Sequence, residues 1–463
     1  MLTTYSELPA AVSHALHELT QSIRDVLTGR QHARLAAIER CLVESLGTVG
    51  AAVMGEALAQ FDHRGKDVRI GGKRYWQAVR STHEYMSAFG PVTVDRGVYR
   101  RVRNGPTLCP MELRAGIVEG FWTPHAAKLA ALCISDMTPY RAAAFFCELG
   151  MMKPSRSSLD RLPKAVNERW EANREDYEAR LRAAEEVPAA AVTVAASLDG
   201  VMVPMRGGRK ADRKAETRRQ GRPDKGPAGC REAACGTLSF YDANGERLAT
   251  RRTARMPEAN KKTLKEQLRR ELEHVRAQRP DLVVVAVADG AANNWQYLAT
   301  LGCSHEVLDF YHAAEHLKRA LDVCMGASSV ATQAKYKELR TALRDDPGGV
   351  DVVIRALKKL RPRRRGDHRD YLTGLNYFKR HRGRMNYAWL QAHQLPIGSG
   401  VIEGTCKSLA SDRLKRAGMR WDLCGGQAVL NLRAWTQSER FDTAWELLSE
   451  NYCAKVIEYR AVA

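Results

Sequence analysis

Residues 283–290 have the sequence Val-Val-Val-Ala-Val-Ala-Asp-Gly. A short apolar run rich in β-branched residues predicts a buried strand over 282–288. Asp289 follows at its carboxyl end, where α/β sheets place their binding and catalytic groups. Read alone, an Asp before a Gly is more often a turn former. The residues around it decide between these two interpretations.

Two further acids occupy comparable positions. Asp199 follows an apolar run at 191–198, and Glu403 lies in a predicted helix that begins after Gly398-Ser399-Gly400. Glu403 alone could be a first-turn acid favoured by the helix dipole. Three carboxylates on separate elements are, however, the hard oxygen ligands that Mg²⁺ prefers. Taken together, they indicate metal-dependent phosphodiester chemistry.

The elements between Asp199 and residue 309 follow a definite order. Strands are predicted at 191–198, 234–241 and 246–253, then a helix at 258–278, the strand 282–288, a helix near 293 and a strand at 305–309. This is the order of a ribonuclease-H-like sheet, in which the first and fourth strands are neighbours. No glycine-rich phosphate loop follows either strand, which disfavours dinucleotide-binding and P-loop folds.

Charge points to a polyanionic partner. The 463 residues contain 73 Lys and Arg against 53 Asp and Glu, a net charge of +20. A surplus of this size favours nucleic acid over general solubility. The densest cationic runs are a polar insertion at 206–229 and the segment 358–365.

The predicted compartment is the bacterial cytoplasm, in association with the nucleoid. The N-terminus has no recognisable secretion signal, and no apolar stretch approaches the roughly 20 residues of a membrane span. The 11 cysteines are scattered without a CxxC pair, which fits reduced core thiols. Cys230 and Cys235 leave a zinc site open as a minor alternative.

Six regions are predicted along the chain. They are an N-terminal helical region at 1–74 that either packs or dimerises, a small β segment at 75–120, a helix-turn-helix region at 121–188, the first part of the catalytic core at 189–310, an all-α insertion at 311–396, and the Glu403 helix with C-terminal helices at 397–463. Thr138-Pro139 and Ser155 are expected to begin the two helices of the helix-turn-helix. Arg156 and Arg161 would then contact DNA, although an ordinary helical bundle has the same pattern.

Five stretches together resemble the DDE-type transposases of bacterial insertion sequences, most closely the ISKra-type group. Four of them are Ser197-Leu198-Asp199-Gly200, Val287-Ala288-Asp289-Gly290-Ala291, Leu308-Asp309-Phe310-Tyr311-His312, and Ile397-Gly398-Ser399-Gly400-Val401-Ile402-Glu403-Gly404, with Gly418-Met419-Arg420-Trp421 as the fifth. The Asp-x-x-His step is similar to a signature of transposases with a helical insertion before the catalytic glutamate. Each motif is weak alone, and the ordered set is specific.

The resemblance implies an activity and a site. Asp199, Asp289 and Glu403 are expected to be catalytic and to hold two Mg²⁺ ions, for which Mn²⁺ would substitute. DNA strands are then cut at element ends by water and joined to target DNA by the freed 3′-hydroxyl. Asp309 and His312 either ligate metal, order the strand-to-helix junction or contact substrate.

The expected partner is double-stranded DNA, both transposon ends and target, bound by a homodimer or larger assembly. The residues expected to contact it are Arg156, Arg161, Arg209, Lys210, Arg363, Arg364, Arg365, Lys407, Arg413, Lys415, Arg416, Arg420 and Trp421, of which Trp421 is as readily a core residue. Two alternatives stay open: an inactive DNA-binding derivative of such an enzyme, and a ribonuclease-H-like nuclease.

Overall fold

The computed structural model describes residues 8–28, 35–206, 219, 221, 229–327 and 329–458. Most of the basic insertion, with Arg209 and Lys210, lies outside these residues. The chain divides into two units, one formed by Met1–Glu178 with Arg440–Ala463 and the other by Ala179–Glu439. Both helices and two five-stranded sheets are present, so the described chain is of mixed α/β composition.

The first unit combines helices with an antiparallel sheet. Its helices are α1 (Ala10–Leu27), α2 (Leu35–Gln60), α3 (Pro110–Ala115), α4 (Pro124–Asp136), α5 (Pro139–Glu148), α6 (Arg156–Ala172) and α18 (Phe441–Ser449). Its strands are β1 (Asp67–Ile70), β2 (Lys73–Ser87), β3 (Gly90–Arg100), β4 (Thr107–Leu108) and β10 (Val456–Glu458). The division between the units falls within α7 (Arg174–Ala183).

Strand β10 pairs with β1 and completes a sheet of order β10-β1-β2-β3-β4. The predicted strand pair around Gly90-Pro91 is confirmed as the β2–β3 hairpin, in which Ser87 lies opposite Gly90. Return of the C-terminal segment to this sheet is not apparent from the sequence, because a three-residue strand has no measurable periodicity.

Helix α2 corrects one expectation. It has 26 residues, a mean hydropathy of 1.3 in its most apolar window, and 11% of that window buried. By length and composition alone it could cross a membrane, contrary to the expectation that no such stretch exists. Core helices of soluble proteins and signal sequences share these properties, so length and composition do not establish a span.

The predicted helix-turn-helix segments are both helical and both capped. Thr138 Oγ1 accepts a hydrogen bond from the Arg141 N–H at 3.2 Å, and Ser155 Oγ accepts one from the Ser158 N–H at 3.1 Å. The Arg156 guanidinium lies 4.2 Å from the centre of the Tyr140 ring, which joins α6 to α5. These contacts fix the two helices, and their DNA-binding role stays a prediction.

The second unit is built on a mixed sheet of order β7-β6-β5-β8-β9. Its strands are β5 (Thr193–Pro204), β6 (Cys230–Tyr241), β7 (Arg247–Arg255), β8 (Val283–Ala288) and β9 (His305–Leu308). The first three are antiparallel, whereas β8 runs parallel to β5 and β9 parallel to β8. The first and fourth strands of this sheet are therefore neighbours, as the order of elements requires.

Helices cover the sheet and form the segment before Glu403. They are α8 (Lys262–Gln278), α9 (Ala292–Leu298), α10 (Phe310–Met325), α11 (Val330–Asp345), α12 (Gly349–Lys359), α13 (His368–His381), α14 (Tyr387–Ala392), α15 (Gly400–Thr405), α16 (Asp412–Leu414) and α17 (Leu423–Gln437). A π-helical segment, Cys406–Ser411, connects α15 to α16. π-Helical turns inside helices occur frequently at functional sites.

Two buried clusters hold this unit together. One joins β5, β8 and β9 to α8 and to the insertion helices α10–α14, and the other joins the distal part of β5 and β6 to α15 and α17. Tyr387 anchors the insertion by donating its hydroxyl to the Leu308 carbonyl at 2.9 Å. The insertion thereby packs next to the strand that leads into Asp309.

Candidate active site

Strand register brings Asp199 and Asp289 to the same level of the sheet. In the parallel β5–β8 pair, Thr193 lies opposite Val283 and Ala196 opposite Ala286. The offset is constant, so three more residues along each strand lead to Asp199 and Asp289. Asp199 lies within β5, which continues to Pro204, whereas Asp289 directly follows β8. Both side chains are partly buried.

The Asp289 carboxylate is oriented by the helix that follows it. Its Oδ1 accepts hydrogen bonds from the Ala291 N–H at 3.1 Å and from Asn294 Nδ2 at 3.4 Å. Asn294 is buried and also donates to the Leu198 carbonyl at 3.4 Å. Trp295 Nε1 donates to the Asp289 carbonyl at 2.5 Å. Asn294 therefore connects the carboxyl end of β8 to β5 beside Asp199.

Asp309 is a buried connector. It is 0% exposed, and its Oδ1 caps α10 by accepting a hydrogen bond from the His312 N–H at 2.6 Å. Its Oδ2 accepts one from the Ser399 N–H, and the Phe310 N–H donates to the Ile397 carbonyl at 2.9 Å. These bonds attach the turn that carries Glu403 to the end of β9, across about 90 residues of sequence.

Glu403 and His312 meet at this junction. Glu403 Oε1 accepts a hydrogen bond from Ser399 Oγ at 2.7 Å and lies 3.7 Å from His312 Nδ1. His312 Nδ1 lies 3.4 Å from Asp309 Oδ1. Ligand atoms of these three residues all lie within 4.8 Å of one another. Asp199 and Asp289 are not part of that compact group.

The charges of all five groups are coupled. Burial raises the pKa of Asp199, and the negative charges of Asp289 and Glu403 raise it further, against the Gly200 N–H hydrogen bond and the Lys261 charge. The hydrogen bond with Asp309 raises the pKa of His312 to about 9, and Glu403 and Asp289 add to this. Burial alone would raise the pKa of Asp309, but the hydrogen bonds from His312 and Ser399 hold it below its usual value.

Three residues at the site were missed by the sequence reasoning. Asn294 connects the two aspartates, Lys261 lies beside Asp199, and Tyr377 of α13 packs against Gly290, where an added Cβ would lie 2.4 Å from its Cε2 atom. Tyr377 also stacks on His316 with ring centres 3.8 Å apart. These positions follow from tertiary packing and have no motif that would single them out.

Most of the residues expected to contact DNA are exposed where the structure describes them. They are Arg156, Arg161, Arg363, Arg364, Arg365, Lys407, Lys415, Arg416 and Arg420. Their exposure leaves DNA contact as a prediction.

Arg413 is a correction. Only 1% of it is exposed, and its guanidinium lies 5.3 Å from the centre of the Trp421 ring. It cannot reach a phosphate from there. Trp421 donates Nε1–H to the Leu414 carbonyl at 3.0 Å and packs against the core cluster, which favours the core alternative for this residue.

No protein-family model matches the chain, and no curated protein is similar to it. Among solved structures, the chain is similar to the Drosophila P element transposase strand transfer complex. The identity is 13% and the TM-score 0.26, over 72% of this chain and 82% of that chain. A similarity this distant carries no argument, so the function is argued from the site.

Proposed function

We propose that the chain is a DDE-type DNA transposase with a ribonuclease-H-like core and a helical insertion. It would bind the terminal inverted repeats of an insertion sequence, cut the DNA there and transfer the freed strand to target DNA. The observation that supports this most directly is the β5–β8 register, which brings Asp199 level with Asp289. Glu403, 114 residues further on, is close enough to affect the charge of Asp199.

The donor set fits a hard divalent cation. Asp199, Asp289 and Glu403 offer carboxylate oxygens, the ligands that Mg²⁺ prefers. Their mutual repulsion raises the pKa of Asp199, and a bound cation would offset that repulsion. When bound, a pair of Mg²⁺ ions would activate the attacking oxygen and stabilise the leaving oxygen.

The chain's own residues position this carboxylate set. Asn294 and the Ala291 N–H hold the Asp289 carboxylate, and Ser399 holds that of Glu403. Both oxygens of Asp309 already accept backbone hydrogen bonds, so we assign it a positioning role. His312, protonated below its raised pKa, lies beside Glu403 and limits the negative charge there.

Asp289→Asn tests the proposal. The substitution removes a metal ligand but no cation, so metal-dependent cleavage should be lost while DNA binding persists. Cleavage is measured with Mg²⁺ on a supercoiled plasmid carrying the gene and its flanking DNA, and binding by a mobility shift on the same DNA. Asp242→Asn is the matched control, because Asp242 lies in the β6–β7 turn, where Asn is equally suitable.

Unchanged cleavage by Asp289→Asn would exclude the proposed triad. DNA binding without cleavage by the unaltered chain would instead favour the inactive DNA-binding derivative. Cleavage without strand joining would favour a nuclease.

A further inference from the structure

Two consecutive residues directly before α8 have left-handed backbone conformations. Asn260 has φ 57° and ψ 17°, and Lys261 has φ 54° and ψ 37°. Neither is a glycine, and lysine adopts this region at a cost in free energy. Strained backbone of this kind clusters at functional sites, where surrounding structure holds it in place. The side chain that this conformation directs is that of Lys261.

The Lys261 ammonium points toward the catalytic carboxylates. Its Nζ lies 3.0 Å from Glu232 Oε1, and 19% of the side chain is exposed. Glu232 in turn occupies the space beside Gly200, since a Cβ added to Gly200 would lie 1.9 Å from Glu232 Oε1. Gly200 is the residue after Asp199. The pair Lys261–Glu232 therefore borders Asp199 on the side of β6.

Electrostatics fit a cation at this place. Asp199, Asp289 and Glu403 concentrate negative charge where an anionic phosphodiester must enter. Lys261 lowers the pKa of Asp199, so its charge acts on the same site. Glu232 is 48% exposed and holds Lys261 from the solvent side, so the bond can be exchanged for a ligand without unpacking the core.

We propose that Lys261 is a further catalytic residue, whose ammonium leaves Glu232 to contact a non-bridging oxygen of the DNA phosphate on which the carboxylates act. This inference rests on the proposed function. In the DNA-free protein, Glu232 keeps the ammonium in place. No bond to Lys261 forms or breaks, and its role is to stabilise charge that develops on the phosphate.

The test compares Lys261→Met with Lys262→Met, the adjacent and exposed lysine. Loss of one donor that acts on developing charge lowers kcat by about 10²–10³-fold. We expect that loss in Lys261→Met, a smaller one in Lys261→Arg, and none in Lys262→Met or Glu232→Gln. The substrate is the supercoiled plasmid with the gene and its flanking DNA, in Mg²⁺, and circular dichroism checks folding of each variant. Should Lys261→Met fail to fold, Lys261→Gln and Lys261→Arg are compared instead.

Binding gives a second readout. One lost phosphate contact reduces the slope of log affinity against log salt by about 0.9, and we expect this for Lys261→Met and not for Lys262→Met. If both variants bind and cleave alike while Asp289→Asn is inactive, the Lys261 inference is wrong and the proposed function stands. If Asp289→Asn cleaves normally, the proposed function fails, and an unchanged salt slope in Lys261→Met then overturns the phosphate contact as well.

Discussion

At the scale of single residues, Asp309 determines where Glu403 lies. Asn at this position keeps one acceptor oxygen but presents an N–H₂ group to the Ser399 N–H. An unsatisfied buried donor costs about 1–3 kcal/mol, so Asp309→Asn should lower the free energy of unfolding by that amount and reduce cleavage. Urea denaturation measures the first effect. Asp422→Asn is the control, because Asp422 is an exposed N-cap where Asn caps equally well. Equal losses in both variants would contradict the connector role.

Two glycines of the site region should respond in opposite directions. A Cβ at Gly290 meets the Tyr377 ring at 2.4 Å, whereas a Cβ at Gly404 meets nothing within 4 Å. Gly290→Ala should therefore destabilise by about 1–3 kcal/mol through overpacking. Gly404→Ala, in α15, should stabilise by up to about 1 kcal/mol. Thermal unfolding of both variants measures this, and a stabilising Gly290→Ala would show that Tyr377 is not packed against Gly290.

At the scale of elements, α2 presents an unusual apolar face. Leu35, Leu46 and Val53 are 71%, 54% and 47% exposed, and their spacing places them on one side of the helix. Large exposed apolar patches commonly mark interaction sites. We expect this face to bind a second copy of the chain, so Leu46→Glu should weaken self-association in sedimentation equilibrium, with Glu39→Gln as the control. A monomeric unaltered chain, or vesicle binding lost in Leu46→Glu, would count against this assignment.

At the scale of the whole molecule, the net charge of +20 predicts salt-dependent DNA binding. Each phosphate contact removed should lower the log–log salt slope by about 0.9. We expect this for Lys415→Gln and for Arg420→Gln, both exposed, and no change for Lys337→Gln, an exposed lysine of α11. Fluorescence anisotropy at several salt concentrations measures the slopes. An affinity of the unaltered chain that is insensitive to salt would contradict the argument from charge.

Local patterns predicted the elements that carry the acids. The buried strand before Asp289 was predicted because all its residues after Val283 face a core. The Asn244-Gly245 turn was predicted because Gly245 adopts φ 79°, which glycine favours. The N-caps at Thr138 and Ser155 were predicted because their hydroxyls satisfy backbone donors within three residues. Each of these depends on interactions between near neighbours in the chain.

The sequence by itself determined which residues are acids at strand ends, the order of the strands and the excess of positive charge. The tertiary structure decided that Asp309 would have both oxygens bonded, that Arg413 would be buried, and that Lys261 and Tyr377 would lie at the site. It also decided that β10 would pair with β1. The physical reason is range: propensity and periodicity report contacts within a few residues, whereas hydrogen bonds and packing between distant segments exist only once the chain has folded.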